Sequence, residues 1–99
     1  MTSFNINAAL QLLPVGTQKH PYEWVDGVIG LIEQSGLNYE VTPFNTSVEG
    51  SYPAVKALID HINDWLMTQG CEEWLLLVQY QFKNGAHVVA SHKTAPYVR

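Results

Sequence analysis

The feature that most limits how this chain can fold is a short polar-decorated hairpin, Asn38–Gly50, set between two amphipathic helical stretches. Tyr39, Val41 and Pro43 alternate with Glu40, Thr42 and Phe44, and after a reversal near Phe44-Asn45, Thr46 and Val48 alternate with Ser47 and Glu49. Such period-2 patterning is the mark of a half-buried strand. Asn45 is expected at the reversal because asparagine tolerates positive φ. Gly50-Ser51-Tyr52-Pro53 then ends the second strand and opens a helix, with Ser51 or Tyr52 at the cap and Pro53 in the first turn.

On the N-terminal side, Val25, Val28, Ile29 and Ile32 fall at i, i+3, i+4 and i+7 of a helix over Tyr22–Ser35, which Gly36 closes. A flanking stripe holds Trp24, Gly27 and Leu31. Gly27 and Gly30 each cost about 1 kcal/mol relative to alanine in a helix interior. They imply either tolerated drift on an exposed face or a close contact with a partner chain beside Trp24. On the C-terminal side, Val55, Leu58, Ile59, Ile62 and Leu66 form the stripe of the second helix, which Gly70 ends.

Two further alternating stretches frame this centre. Phe4–Leu13 puts Phe4, Ile6, Ala8, Leu10 and Leu12 on a core face, and Pro14–Pro21 is a loop leading into the first helix. Glu73–Phe82 is apolar on both faces near its start, which requires something to cover Leu75 and Leu77. Asn84-Gly85 is a hairpin signal for a possible extra C-terminal strand over Ala86–Ala90. The order is β-α-β-β-α-β, and the predicted fold is α+β and ferredoxin-like, a four-stranded antiparallel sheet with two helices on one face. At 99 residues the chain is expected to form a single domain over 1–99, with its core at about 4–82 and a C-terminal extension over 83–99.

Composition excludes several function classes. Charged residues make up only 14% of the chain, below the quarter usual for soluble domains, so self-association is expected, with a second subunit over the open sheet face. A net charge of -4 without a Lys/Arg cluster argues against nucleic acid and against an anionic membrane. No basic leader or long apolar run is present, so a cytoplasmic location is expected. Cys71 is the single cysteine and is expected to be a buried, inert thiol; His20, His61, His87 and His92 lack metal-ligand spacing, so no metal site is expected.

No nucleophile elbow, phosphate loop or dinucleotide fingerprint occurs, and the chain is expected to be no enzyme. The alternatives are a small oligomeric enzyme of the isomerase or monooxygenase type, with Glu40 or Glu49 on the open face, and a purely structural or regulatory oligomer joined through Leu75 and Leu77. Glu49 faces a partly covered surface, where a carboxylate is costly unless it meets a cation, donors or water. Either an amino-substituted cationic ring or solvent would satisfy it.

Ser35-Gly36-Leu37-x-Tyr39, followed by Thr42-Pro43-x-x-Thr46-x-x-Glu49-Gly50, resembles the signature of the small thiamine-binding (YkoF-like) family of ferredoxin-like proteins. Pro14-x-Gly16 fits the same pattern, so the similarity spans roughly residues 4 to 82. The resemblance implies a cytoplasmic, non-enzymatic protein that binds thiamine or its hydroxymethylpyrimidine portion and assembles as dimers or tetramers. The implied ligand region comprises Thr42, Pro43, Thr46 and Glu49, with the loop at Gly16 and Thr17. An aromatic side chain, Trp24 or Tyr80, is a candidate to lie against a thiazolium ring through a cation-π contact. The chain departs from the family pattern at Asn45, where glycine is usual, and over Gly85–Ala90, where family members carry a charged tail.

Overall fold

Strand β1 (Asn5–Pro14) occupies the middle of the sheet because the residues on its helix side, Ile6, Ala8 and Leu10, are apolar and fully enclosed. The computed structural model describes residues 4–88. After β1 come α1 (Pro21–Gln34), β2 (Asn38–Val41), β3 (Thr46–Ser51), α2 (Tyr52–Thr68) and β4 (Trp74–Gln81). The sheet order is β2-β3-β1-β4 with all neighbours antiparallel, which is the expected ferredoxin-like arrangement. One core joins Trp24, Val28 and Ile32 of α1, Val55, Leu58, Ile62 and Leu66 of α2, and the helix-side residues of β1 and β3.

Local chemistry sets the helix ends. His20 caps α1: its Nδ1 accepts from the Tyr22 amide at 3.2 Å, and Glu23 Oε2 accepts from the His20 amide at 3.2 Å. With Pro21 at the first helical position, this is a reciprocal capping box. Ser51 caps α2, its hydroxyl accepting from the Ala54 amide at 3.3 Å, so Tyr52 is already helical. Among the described residues, no helix is long and apolar enough to cross a membrane.

Three details differ from the periodic reading. The buried stripe of α1 runs through Trp24, Val28 and Ile32, leaving Val25 and Ile29 half-buried. A neighbour does approach Gly27 closely, but it is the Trp65 indole of α2, which a Cβ at Gly27 would overlap; Gly30 faces open space. The hairpin turn uses no positive φ outside glycine, so Asn45 does not act through the left-handed conformation. At the other end, Asn84-Gly85 does turn, with Gly85 at φ 74° and one bridge between Lys83 and Ala86. Residues 86–88 run beside β1, where the Val88 amide donates to Asn5 O at 2.9 Å and the Asn5 amide donates to His87 Nδ1 at 2.9 Å. The rest of the expected extra strand, 89–90, lies outside the described residues.

Cys71 is buried at the end of α2 and its thiol donates to Glu73 O at 3.8 Å. Burial pushes this thiol above its ordinary range. A raised folded-state value stabilises the protein below the thiol's ordinary range, and that contribution is lost as pH rises through the folded value. Urea unfolding of wild type and Cys71→Ala should therefore show the wild type alone losing this increment above about pH 8.5. In the same assay Gly27→Ala should cost about 1–3 kcal/mol by overpacking against Trp65. Gly30→Ala should stabilise by about 0.5–1 kcal/mol, because nothing opposes the better helix former.

Candidate functional site

Alternation along β3 decides which candidate residues can meet. Thr46, Val48 and Gly50 are buried toward the helices, whereas Ser47, Glu49 and Ser51 are half-buried on the opposite face. Thr46 and Glu49 stand three residues apart and so lie on different sides of the sheet. The structure brings Thr42, Pro43 and Thr46 together and separates Glu49 from them.

On the helix side, a cleft of about 260 Å³ opens between the hairpin end and the first half of α1. Its floor is Leu10, Leu12, Thr46 and Leu76, its far wall is Val25, Val28, Ile29 and Ile32, and Val41–Asn45 closes one edge. Two exposed aromatics, Tyr22 and Phe44, stand among the lining residues. Such a lining is apolar with a few polar groups, as small-molecule pockets usually are. Among the described residues that line it there is no carboxylate, histidine or cysteine.

Thr42 belongs to this edge but its hydroxyl is committed to the turn. Its Oγ1 accepts from the Phe44 and Asn45 amides at 3.3 and 3.1 Å and lies 2.9 Å from Asn45 O, to which it donates. The Thr42 amide also donates to Asn45 O at 2.8 Å. A threonine bonded to its own loop in this way substitutes for a left-handed residue in closing the reversal. Pro43 is exposed, and Thr46 is the buried polar residue of the cleft.

On the open face, a smaller groove of about 110 Å³ is lined by Asn7, Asn38, Tyr39, Glu40, Ser47, Val48 and Glu49. Register places Asn38, Glu49 and Asn7 in one row across β2, β3 and β1, and Glu40 beside Ser47 in the next. Asn7 is only 6% exposed, and neither polar atom of its side chain has a partner among the described residues. Leaving a buried polar group unpaired costs about 1–3 kcal/mol. The Tyr39 hydroxyl donates to Glu33 Oε2 at 3.2 Å; desolvation first, then Glu33, push the phenol above its ordinary range.

The remaining candidates lie elsewhere. Thr17 donates to Lys19 O at 2.7 Å and shapes the β1–α1 loop, whose Gln18 amide donates to Glu72 Oε2 at 3.0 Å. Trp24 is 2% exposed, stands edge-on to Trp65 with ring centroids 5.9 Å apart, and carries Lys19 Nζ 4.3 Å from its ring. Its cation-π surface thus already has a cation. Tyr80 packs edge-on against Tyr52 at 5.7 Å, and burial, then Tyr52 and Asp60, push its phenol upward. Among the described residues, no three His, Cys, Asp or Glu side chains converge as metal ligands.

A family profile described as thiamine-binding protein matches residues 8–97. A UPF0045 protein of Clostridium perfringens is 30% identical over 91 residues, covering 92% of this chain and 95% of the relative. Two solved structures share the fold. A domain of unknown function (DUF77) from Bacillus cereus superposes with TM-score 0.89 at 23% identity, covering 97% of this chain and 92% of its own. A Thermotoga maritima protein provisionally assigned to thiamine biosynthesis or salvage superposes with TM-score 0.85 at 23% identity, covering 95% and 99%.

The hydrogen bonds of Thr42 make a direct expectation. Thr42→Val should destabilise the fold by about 1 kcal/mol in urea unfolding, while Thr42→Ser should stay within about 0.5 kcal/mol of wild type.

Proposed function

Because the chain belongs to the thiamine-binding protein family, we propose that it binds thiamine, or a related molecule with an aminopyrimidine or thiazolium ring, without transforming it. The observation that carries this reading is the helix-side cleft. At about 260 Å³ it lies just under the roughly 300–1,000 Å³ usual for small-molecule pockets. It is apolar along α1, has a buried threonine at its floor, and counts two exposed aromatic residues, Tyr22 and Phe44, among its lining, the residue type that covers a flat heterocycle. Thr46 supplies the hydrogen bond, while Thr42 and Pro43 hold the edge of the cleft in shape. The described lining residues carry hydroxyls and amides but no carboxylate, imidazole, thiol or amine, a donor set suited to holding a ring.

Self-association belongs to the same reading, in a cytoplasmic protein. Leu75 and Leu77 of β4 are 55% and 47% exposed on the open face, where they stand opposite Leu13 and Gln11 of β1. A second copy laid on that end of the sheet would remove this apolar surface from water.

Isothermal titration with thiamine, its phosphates and hydroxymethylpyrimidine tests the ligand. One saturable micromolar heat per chain is expected, and Thr46→Val should weaken it about five-fold or more, the worth of one hydrogen bond of about 1 kcal/mol. No heat from any member of the panel would overturn the reading. For the assembly, sedimentation should find the wild type heavier than one chain and the Leu75→Asp, Leu77→Asp double variant monomeric; an undisturbed oligomer would move the interface elsewhere.

A further inference from the structure

The Asn84-Gly85 turn is a sequence signal that the helix-side cleft does not absorb, and it borders a groove of about 390 Å³ at the start of β1. We propose that the juxtaposition of Phe4, Phe82 and Lys83 with the turn amides of Asn84 and Gly85 forms a second small-molecule site, one that takes an aromatic carboxylate. The phenyl groups cover the aromatic body, and Lys83 with the two amides holds the carboxylate.

The apolar wall is made of side chains that are already braced. Ile6 is buried, whereas Phe4 and Phe82 are 38% and 54% exposed among the lining residues. Phe82 stands edge-on to Tyr52 with ring centroids 5.0 Å apart and lies 5.6 Å from Tyr80, and Phe4 stands edge-on to His87 at 5.3 Å. Exposed phenyl groups held in this way lose less freedom when a ligand arrives. They meet a flat aromatic molecule by offset or edge contacts.

The anion end follows from the turn. The Ala86 amide donates to Lys83 O at 3.1 Å and Gly85 takes φ 74°, which leaves the amides of the two central residues, Asn84 and Gly85, outside the closing bond. Neither amide has a partner among the described residues. Successive free amides in a turn make a small anion-binding concavity. Lys83 adds a full positive charge and has no ion pair among the described residues, and no Asp or Glu is among the described lining residues to compete for it. The turn is tied to β1 by the Val88 amide donating to Asn5 O and the Asn5 amide donating to His87 Nδ1, both at 2.9 Å.

Together these groups narrow the class. A bare anion would leave the phenyl groups unused, and a cationic ring would meet Lys83 as a like charge. The volume falls within the roughly 300–1,000 Å³ usual for small-molecule pockets. The site shares no lining residue with the helix-side cleft, so it stands whether or not the cleft binds thiamine. Gly85 also opens the stretch in which the chain departs from the family pattern.

The test uses the whole chain, labelled with nitrogen-15, titrated with phenylacetate, with its neutral analogue phenylacetamide and with acetate, which has no ring. The Asn84 and Gly85 amide signals are expected to shift saturably with phenylacetate, and both analogues should bind about five-fold or more weakly. Lys83 is exposed, so Lys83→Gln should fold and weaken phenylacetate by a similar factor. Thiamine should leave the two turn amides in place even where it fills the cleft, which separates this site from the first. Unmoved turn amides with phenylacetate, equal affinity for either analogue, full binding by Lys83→Gln, or displacement of phenylacetate by thiamine would each overturn the proposal.

Discussion

The register of β3 against β1 is the constraint on which the rest of this structure depends. Leu10 opposite Thr46 and Ala8 opposite Val48 set helix-facing residues of the two strands side by side, while Asn7 opposite Glu49 pairs two residues of the open face. Val48, 1% exposed, locks that register from the core side. A slip of one residue would bury Glu49 under the helices and expose Val48, so the pairing is strongly specified. The same alternation makes two unlike surfaces from one short strand, a threonine under α1 and a carboxylate on the open face.

Each surface then acquires its chemistry from what packs around it. Gly27 lets the Trp65 indole close on α1, which fixes the helix with Trp24 inward and turns Val25 and Ile29 toward the hairpin. The hairpin end is held by the Thr42 hydroxyl, so the mouth of the cleft is a built edge. The result is a largely apolar space without a charged side chain among its described lining residues. The open face has no helix above it among the described residues. Its polar row is aligned by strand register, and one amide in it has no partner among the described residues.

Much of this was legible in the sequence, for reasons that can be named. Period-2 and period-3.6 patterning located all six elements, and alternation assigned Ile6, Ala8 and Leu10 to the core and set Thr46 and Val48 against Ser47 and Glu49, as the structure has them. Prolines and glycines marked the helix ends. What patterning left open was the rotation of α1, since Val25–Ile32 and Trp24–Leu31 both read as apolar stripes; only the presence of Trp65 on a neighbouring helix selects between them. The hairpin motif grouped Thr46 with Glu49 by spacing along the chain, although three steps along a strand change faces. Thr42 entered the ligand region through the family resemblance, and its letter alone does not show that the hydroxyl bonds its own loop. The unpaired amide of Asn7 is a tertiary fact, set by what surrounds it.

Methyl and amide NMR during a thiamine titration tests the central claim most directly, because it reports which face of β3 meets the ligand. Saturable shifts at the methyls of Val25, Ile29 and Thr46, with Tyr22 and Phe44 following, are expected for a ligand in the helix-side cleft. Shifts confined to the open face at Ser47 and Glu49, or none on either face, would contradict it.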